Sequence, residues 1–184
     1  MEDVLKDGES RMQKAMEALK KNFSAVRTGR ANPALLDHVQ VDYYGTSVPL
    51  KQLAQVSVPE PRMLLVTPYD KSAAQGIEKA ILSSDLGINP KNEGGVIRLT
   101  LPELSEERRK DLIKVIKKES EDAKVAVRNV RRDAIEALKK QKADKKITED
   151  EEKAKDKKVQ ELTDKYAAEV DKSLSAKEKE IMEV

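Results

Sequence analysis

The sequence predicts an α+β protein: a bundle of three long antiparallel helices with a small α/β domain inserted between the first and the second. Three observations lead there. Apolar residues recur at steps of three and four in residues 1–29 and again in residues 105–184, as one face of a helix requires. All seven prolines fall between Pro33 and Pro102, among alternating β-branched runs. Charged residues make up 38% of the 184-residue chain, against about 25% in an average globular protein, so a large solvated helical surface is expected.

The first helix is carried by Leu5, Met12, Met16, Leu19, Phe23 and Val26, and Thr28-Gly29 and Asn32-Pro33 end it. Residues 30–104 change character. The runs HVQVDYYG, TSVPL, AQVSVPE, MLLVTPY and VIRLTL read as strands, with Tyr44-Gly45-Thr46 as a turn between the first two. One helix interrupts them over about Lys71–Ser84, with Asp70 or Ser72 as its cap and Gly87 after its end. The glycine-rich GINPKNEGG, Gly87–Gly95, reads as a turn.

The helical period returns at Ser105. A capping hydroxyl followed by Glu106 and Glu107 suits the amide-rich start of a helix. Its apolar face is Leu112, Ile116, Ala123, Val127, Val130, Ala134 and Leu138, and the charged run KKQKADKK loosens the pattern. Thr148 and Glu151 form a capping-box pattern for a third helix with the face Val159, Leu162, Tyr166, Val170, Leu174 and Ile181. Three single-faced helices bury their stripes most economically against one another. The expected domains are 1–29 with 105–184, and 30–104. Two crossings join them, at Gly29, Arg30, Ala31 and Asn32 and at Pro102, Glu103, Leu104 and Ser105, and two short crossings permit hinge motion.

Composition narrows the chemistry. Without cysteine there is no disulfide, thiol nucleophile or zinc–cysteine site. His38 is the single histidine, which excludes histidine clusters. The glycine-rich stretch lacks the Gly-Lys-Ser/Thr end of a phosphate loop, and the acidic run Glu149–Glu152 suits a helix start better than a metal. No catalytic residue and no metal ligand is expected. The acidic N-terminus lacks a signal-peptide core, and no apolar run approaches the roughly 18 residues of a membrane span. A soluble, cytoplasmic protein without membrane association is expected.

The net charge of +2 hides a local excess. Residues 105–132 carry ten basic and six acidic side chains, and five of the ten arginines lie between Arg108 and Arg132. On a helical wheel at about 100° per residue, Lys110, Lys117, Lys124 and Arg128 fall close together. Arg131 and Arg132 flank them, as does Lys114, and the whole stripe runs beside the apolar face. Glu121 interrupts it. Two readings fit: a solvated face with internal ion pairs, or a docking face for an anionic polymer, since guanidinium groups bind phosphate in two-pronged fashion. Single-stranded recognition wants aromatic platforms, and the helical segments hold only Phe23 and Tyr166, both at core spacing. A rigid helix with spaced arginines suits the phosphates of a folded nucleic acid.

Five stretches in one order carry a resemblance: VRTGRANPALLD (Val26–Asp37), YYGTSVPLKQLA (Tyr43–Ala54), KAILSSDLGINP (Lys79–Pro90), LSEERRKDL (Leu104–Leu112) and KVAVRNVRRDA (Lys124–Ala134). With them the chain resembles the bacterial ribosome recycling factors over essentially its whole length. The resemblance implies an L-shaped two-domain architecture and a role after translation termination. The implied partners are large-subunit rRNA, bound by the bundle, and elongation factor G, met by the small domain as it moves about the hinge. With GTP hydrolysed by that factor, subunits split and mRNA and tRNA leave. The protein itself would need no cofactor, catalyse nothing and act as a monomer. Matched by position, the rRNA-facing residues are Arg27, Arg30, Arg109, Arg128, Arg131 and Arg132, to which the wheel adds Lys117 and Lys124.

Overall fold

The computed structural model describes residues 3–183. The chain divides into two compact units: one holds the chain up to Arg27 together with Glu107–Met182, the other Thr28–Glu106. Each junction thus lies about two residues from where the change of composition puts it.

The first unit is built from three helices: α1 (Val4–Ala25), α4 (Glu106–Ala143) and α5 (Glu149–Met182). At 1.5 Å per residue, the 38 residues of α4 run for about 57 Å. α1 and α5 begin where side chains satisfy free amides of the first turn. Asp3 accepts the Leu5 amide at 3.2 Å in front of α1. The capping box of α5 is formed in both directions: Glu151 N–H donates to Thr148 Oγ1 at 3.2 Å and Thr148 N–H to Glu151 Oε2 at 2.7 Å. The amide bond from Thr148, above all, holds the Glu151 carboxyl below its ordinary range.

The buried faces follow the helical period. Met12, Met16, Leu19 and Phe23 of α1 are buried, as are Leu112, Ile116, Ala123, Val127, Val130, Ala134 and Leu138 of α4. Val159, Tyr166, Val170 and Ile181 of α5 complete the core, whereas Leu162 and Leu174 are only half-buried. Gly8 of α1 faces Ala134 of α4 across a small cleft. Arg11 pairs with Asp133 at 2.8 Å along the same seam, and Asn22 donates to Glu119 at 2.7 Å. At the α4–α5 corner the half-exposed Lys142 reaches Glu152, whose side chain is 10% exposed, at 2.7 Å. That hydrogen bond holds the ammonium above the usual lysine range.

In the second unit, β1 (Gln40–Tyr43) and β2 (Thr46–Pro49) form a hairpin. Tyr44 and Gly45 turn it with φ of 49° and 78°, the positive values a two-residue hairpin turn demands. A four-stranded antiparallel sheet follows in the order β3-β4-β6-β5, from β3 (Ala54–Glu60), β4 (Met63–Pro68), β5 (Pro90–Glu93) and β6 (Val96–Thr100). Between them lie a helical turn α2 (Leu50–Leu53) and α3 (Ala74–Leu82). Leu36, Val41, Leu50, Leu64, Val66, Ile77, Ile81, Ile97 and Leu99 make a core of their own. The Asp70 carboxylate caps the entry to α3 by accepting the Ser72 amide at 2.9 Å, and this bond chiefly depresses its pKa. Tyr43 donates to the same carboxylate at 2.8 Å, which raises the phenol above its ordinary value.

Three local readings are corrected. Residues 87–95 are not one turn: Pro90–Glu93 is an edge strand, and only Gly94-Gly95, with φ of 65° and 96°, turns the chain back. The second strand ends at Pro49 and Leu50 begins a helical turn. The helix read over Lys71–Ser84 is a 3₁₀ turn, Lys71–Ala73, followed by nine α-helical residues.

Both crossing segments are tied to the β3–β4 turn. Ala31 N–H donates to Pro61 O at 2.7 Å, and Leu101 N–H to Arg62 O at 2.8 Å. Asn32 Oδ1 caps the 3₁₀ turn Pro33–Leu36 by accepting the Ala34 amide at 3.0 Å, and the Arg62 guanidinium lies 3.7 Å from Glu103. Of the residues expected at the crossings, Gly29 has the left-handed φ of 77° and Arg30 is exposed, while Ala31 and Asn32 are held by these bonds.

Candidate nucleic-acid interface

α4 carries the basic stripe, and its neighbours divide that stripe. Asn22 and Arg11 bind Glu119 and Asp133, so α1 flanks one edge of the apolar face. α5 flanks the other edge, which is the edge the stripe follows. There Lys117 Nζ lies 3.6 Å from Glu178 and Lys124 Nζ 2.5 Å from Asp171. Both lysines are engaged across the bundle. Arg128 turns back along its own helix to Glu121 at 2.7 Å. These pairs are partly or largely open to water, where ion pairs add little to stability.

The arginines at the C-terminal end of the stripe stand differently. The Arg132 side chain is 68% exposed and its nearest carboxylate, Asp133, is 4.0 Å away. Arg131 is half-buried, and its Nε is enclosed with no hydrogen-bond partner. Of the two, Arg132 is the guanidinium open to solvent, whereas Arg131 Nε is closed off from it. Arg109 is half-buried near the start of α4, about 28 Å from Arg128 along the helix. Positive groups are therefore spread along a rod and do not converge on a point. Arg27 is exposed just beyond the α1 C-cap, and Arg30 is exposed in the small unit.

Among the described residues no group of three or more His, Cys, Asp or Glu side chains stands close enough to hold a metal ion. No helix among them is long and apolar enough to cross a membrane. His38 is exposed beside β1.

A wheel of α4 alone missed the carboxylates of α5. Their signal was in the sequence: Asp164, Asp171 and Glu178 repeat every seven residues, as do Lys117, Lys124 and Arg131.

Fold and surface together define a class: a three-helix bundle with a sheet unit inserted after its first helix and a cationic face on its longest. A family model described as ribosome recycling factor matches residues 19–182. The ribosome-recycling factor of Bacillus licheniformis is 55% identical over 98% of both chains, and that of Carboxydothermus hydrogenoformans 54% identical over the full length of both. A solution structure of a ribosome recycling factor superposes with a TM-score of 0.76 at 46% identity, covering 99% of this chain and 97% of the other. A second structure has a TM-score of 0.63 at 45% identity and 97% coverage of both chains. It comes from models of the T. thermophilus ribosome recycling factor and the E. coli elongation factor G bound to the E. coli post-termination complex. The chain belongs to the ribosome recycling factor family.

Proposed function

We propose that this protein recycles ribosomes after termination by binding large-subunit rRNA through the α4 stripe and working with elongation factor G. Family membership over the whole chain supports the recycling role. The observation that carries the binding surface is the open end of the stripe, where the Arg132 side chain is 68% exposed with its nearest carboxylate 4.0 Å away, next to a half-buried Arg131 that makes no ion pair among the described residues. Phosphate oxygens complete such groups with short, charge-assisted bonds.

The protein needs no catalytic group for this work. Splitting a ribosome requires binding that is stronger to the separated large subunit than to the joined particle. A rigid rod that fits one subunit and clashes with the bridge to the other supplies that difference. GTP is consumed by the partner factor, so this chain carries no cofactor. It acts as a monomer in the cytoplasm. The small unit pivots about Gly29-Arg30 and Pro102–Ser105, because Ala31 and Leu101 are bonded to the Pro61–Arg62 turn and move with it.

Light scattering of post-termination ribosomes tests the whole reading. A fall in scattering that needs this protein, elongation factor G and GTP together is expected; no fall would overturn it. Arg132→Ala tests the surface. It should weaken large-subunit binding, lower the salt slope by about one and leave the melting curve unchanged. Arg131→Ala should weaken binding too. Unaltered affinity in both folded variants would refute the assignment.

A further inference from the structure

The register of α4 against α5 turns the stripe into a ladder. Moving seven residues up α4, from Lys117 to Lys124, moves seven residues down α5, from Glu178 to Asp171. One more step of seven places Arg131 opposite Asp164. That third rung is open. Asp164 accepts Gln160 Nε2 at 2.8 Å on its own helix, and Arg131 has no carboxylate within 4.0 Å among the described residues. Three heptad-spaced carboxylates therefore run alongside three heptad-spaced cations, two rungs closed and one open.

Stability does not account for the arrangement. In the two closed rungs the side chains are 62% and 34%, and 30% and 59%, exposed, a setting in which ion pairs contribute little. Yet carboxylates placed there stand where an RNA phosphate must come if it is to meet Lys117 or Lys124. They hold the ammonium groups in place and repel the ligand that would take them.

We propose that Asp164, Asp171 and Glu178 form a tuning row that competes with rRNA phosphates for the α4 cations and so limits how tightly the bundle grips the large subunit. The proposal rests on the reading of the stripe as an rRNA-binding face. A factor that must leave after each round gains from such a limit, because release is faster when the cations have an internal partner to return to. In the free protein Lys117 and Lys124 rest on α5; on the subunit they exchange a carboxylate for a phosphate. Arg131, with no carboxylate to give up, binds from the outset. On α4 itself, the Glu121 carboxylate is already paired to Arg128 at 2.7 Å.

The test is equilibrium binding of large ribosomal subunits by the full-length protein across a range of salt. The variants are Asp171→Asn with Glu178→Gln, Asp164→Asn alone, and Arg132→Ala as the reference. A carboxylate about 7 Å from a phosphate in water weakens binding roughly threefold. The double variant should therefore bind about tenfold tighter at low salt. The gain should shrink towards physiological ionic strength, where the screening length is about 8 Å. Asp164→Asn breaks no rung and should bind about threefold tighter, whether or not the double variant melts early. A purely structural row predicts a lower melting temperature and no gain in affinity. If Arg132→Ala weakens binding while both neutralised variants bind like wild type or worse, the tuning row is overturned and the binding face stands. If Arg132→Ala and Arg131→Ala also leave binding unchanged, the face and the row fall together.

Discussion

Gly8→Ala should stabilise the bundle. Gly8 is buried inside α1, and its backbone does not adopt a positive φ. A Cβ there would meet one atom, Ala134 Cβ, at 4.0 Å, an ordinary van der Waals distance. It would project into a cleft of ≈ 140 Å³ lined by Val4, Arg11, Val130 and Ala137 among others, so no neighbour has to move. Replacing glycine by alanine in a helix interior contributes about 1 kcal/mol, and burying one methyl adds about 0.8 kcal/mol. The sum, about 1.5–2 kcal/mol, corresponds to a rise in melting temperature of about 3–7 °C at this chain length. Circular dichroism at 222 nm reports it directly, because α1, α4 and α5 hold 22, 38 and 34 residues. Large-subunit binding should not change, since α1 lies across the core from the stripe. A melting temperature equal to or below that of wild type would refute the reasoning. It would mean that filling the cleft beside Gly8 costs more than the added methyl and the lost glycine flexibility contribute.

Three further outcomes follow from polar groups in the helices and at their starts. Ser120 is buried on the core face of α4 and its hydroxyl has no hydrogen-bond partner; Ser120→Ala should raise stability by about 1 kcal/mol, read as a higher urea midpoint at unchanged slope. Thr148→Ala removes half of the capping box and should cost about 1 kcal/mol in the same assay. The box also confers a pH dependence. The folded state holds the Glu151 carboxyl below its unfolded pKa, so its stabilisation is fully present above that pKa and is lost as pH falls through the depressed value. Wild type should be more stable than Glu151→Gln at pH 7, and the difference should narrow below about pH 4; a difference independent of pH would contradict the assigned charge.

How much of this was legible in the sequence depended on whether a residue's role was set by its own element. The faces of α1 and α4 were legible because burial on one side leaves a period of 3.6. So was the α5 start, because a capping box is local, and so was the hairpin at Tyr44-Gly45. The strand Pro90–Glu93 was not, because only Pro90 in it is even half-buried; an edge strand has no apolar alternation to betray it. Leu50–Leu53 hid for the opposite reason, a single buried leucine being compatible with strand or helix. At the candidate interface the wheel put Lys117 and Lys124 at the centre of one stripe with Arg132 on its flank, and could not tell which of them had partners. Their difference lies in what α5 sets against them, and the register between two helices is a property of neither alone.

The insertion that separates α1 from its partners has a consequence for how the molecule is made. About 80 residues lie between the end of α1 and the start of α4, and α5 ends at Met182. At 5–20 residues per second, α1 waits roughly 8–30 s for the whole of α5. During that interval the sheet unit has all its strands and its own apolar core, so it can fold first. A protein helix takes most of its stability from packing its amphipathic face, and α1 has nothing to pack on at that stage. Met12, Met16, Leu19 and Phe23 remain without the surfaces that later cover them. The nascent chain therefore passes through a stage with a finished domain and a sticky, unpaired leader, the form in which it is most exposed to chaperones and proteases.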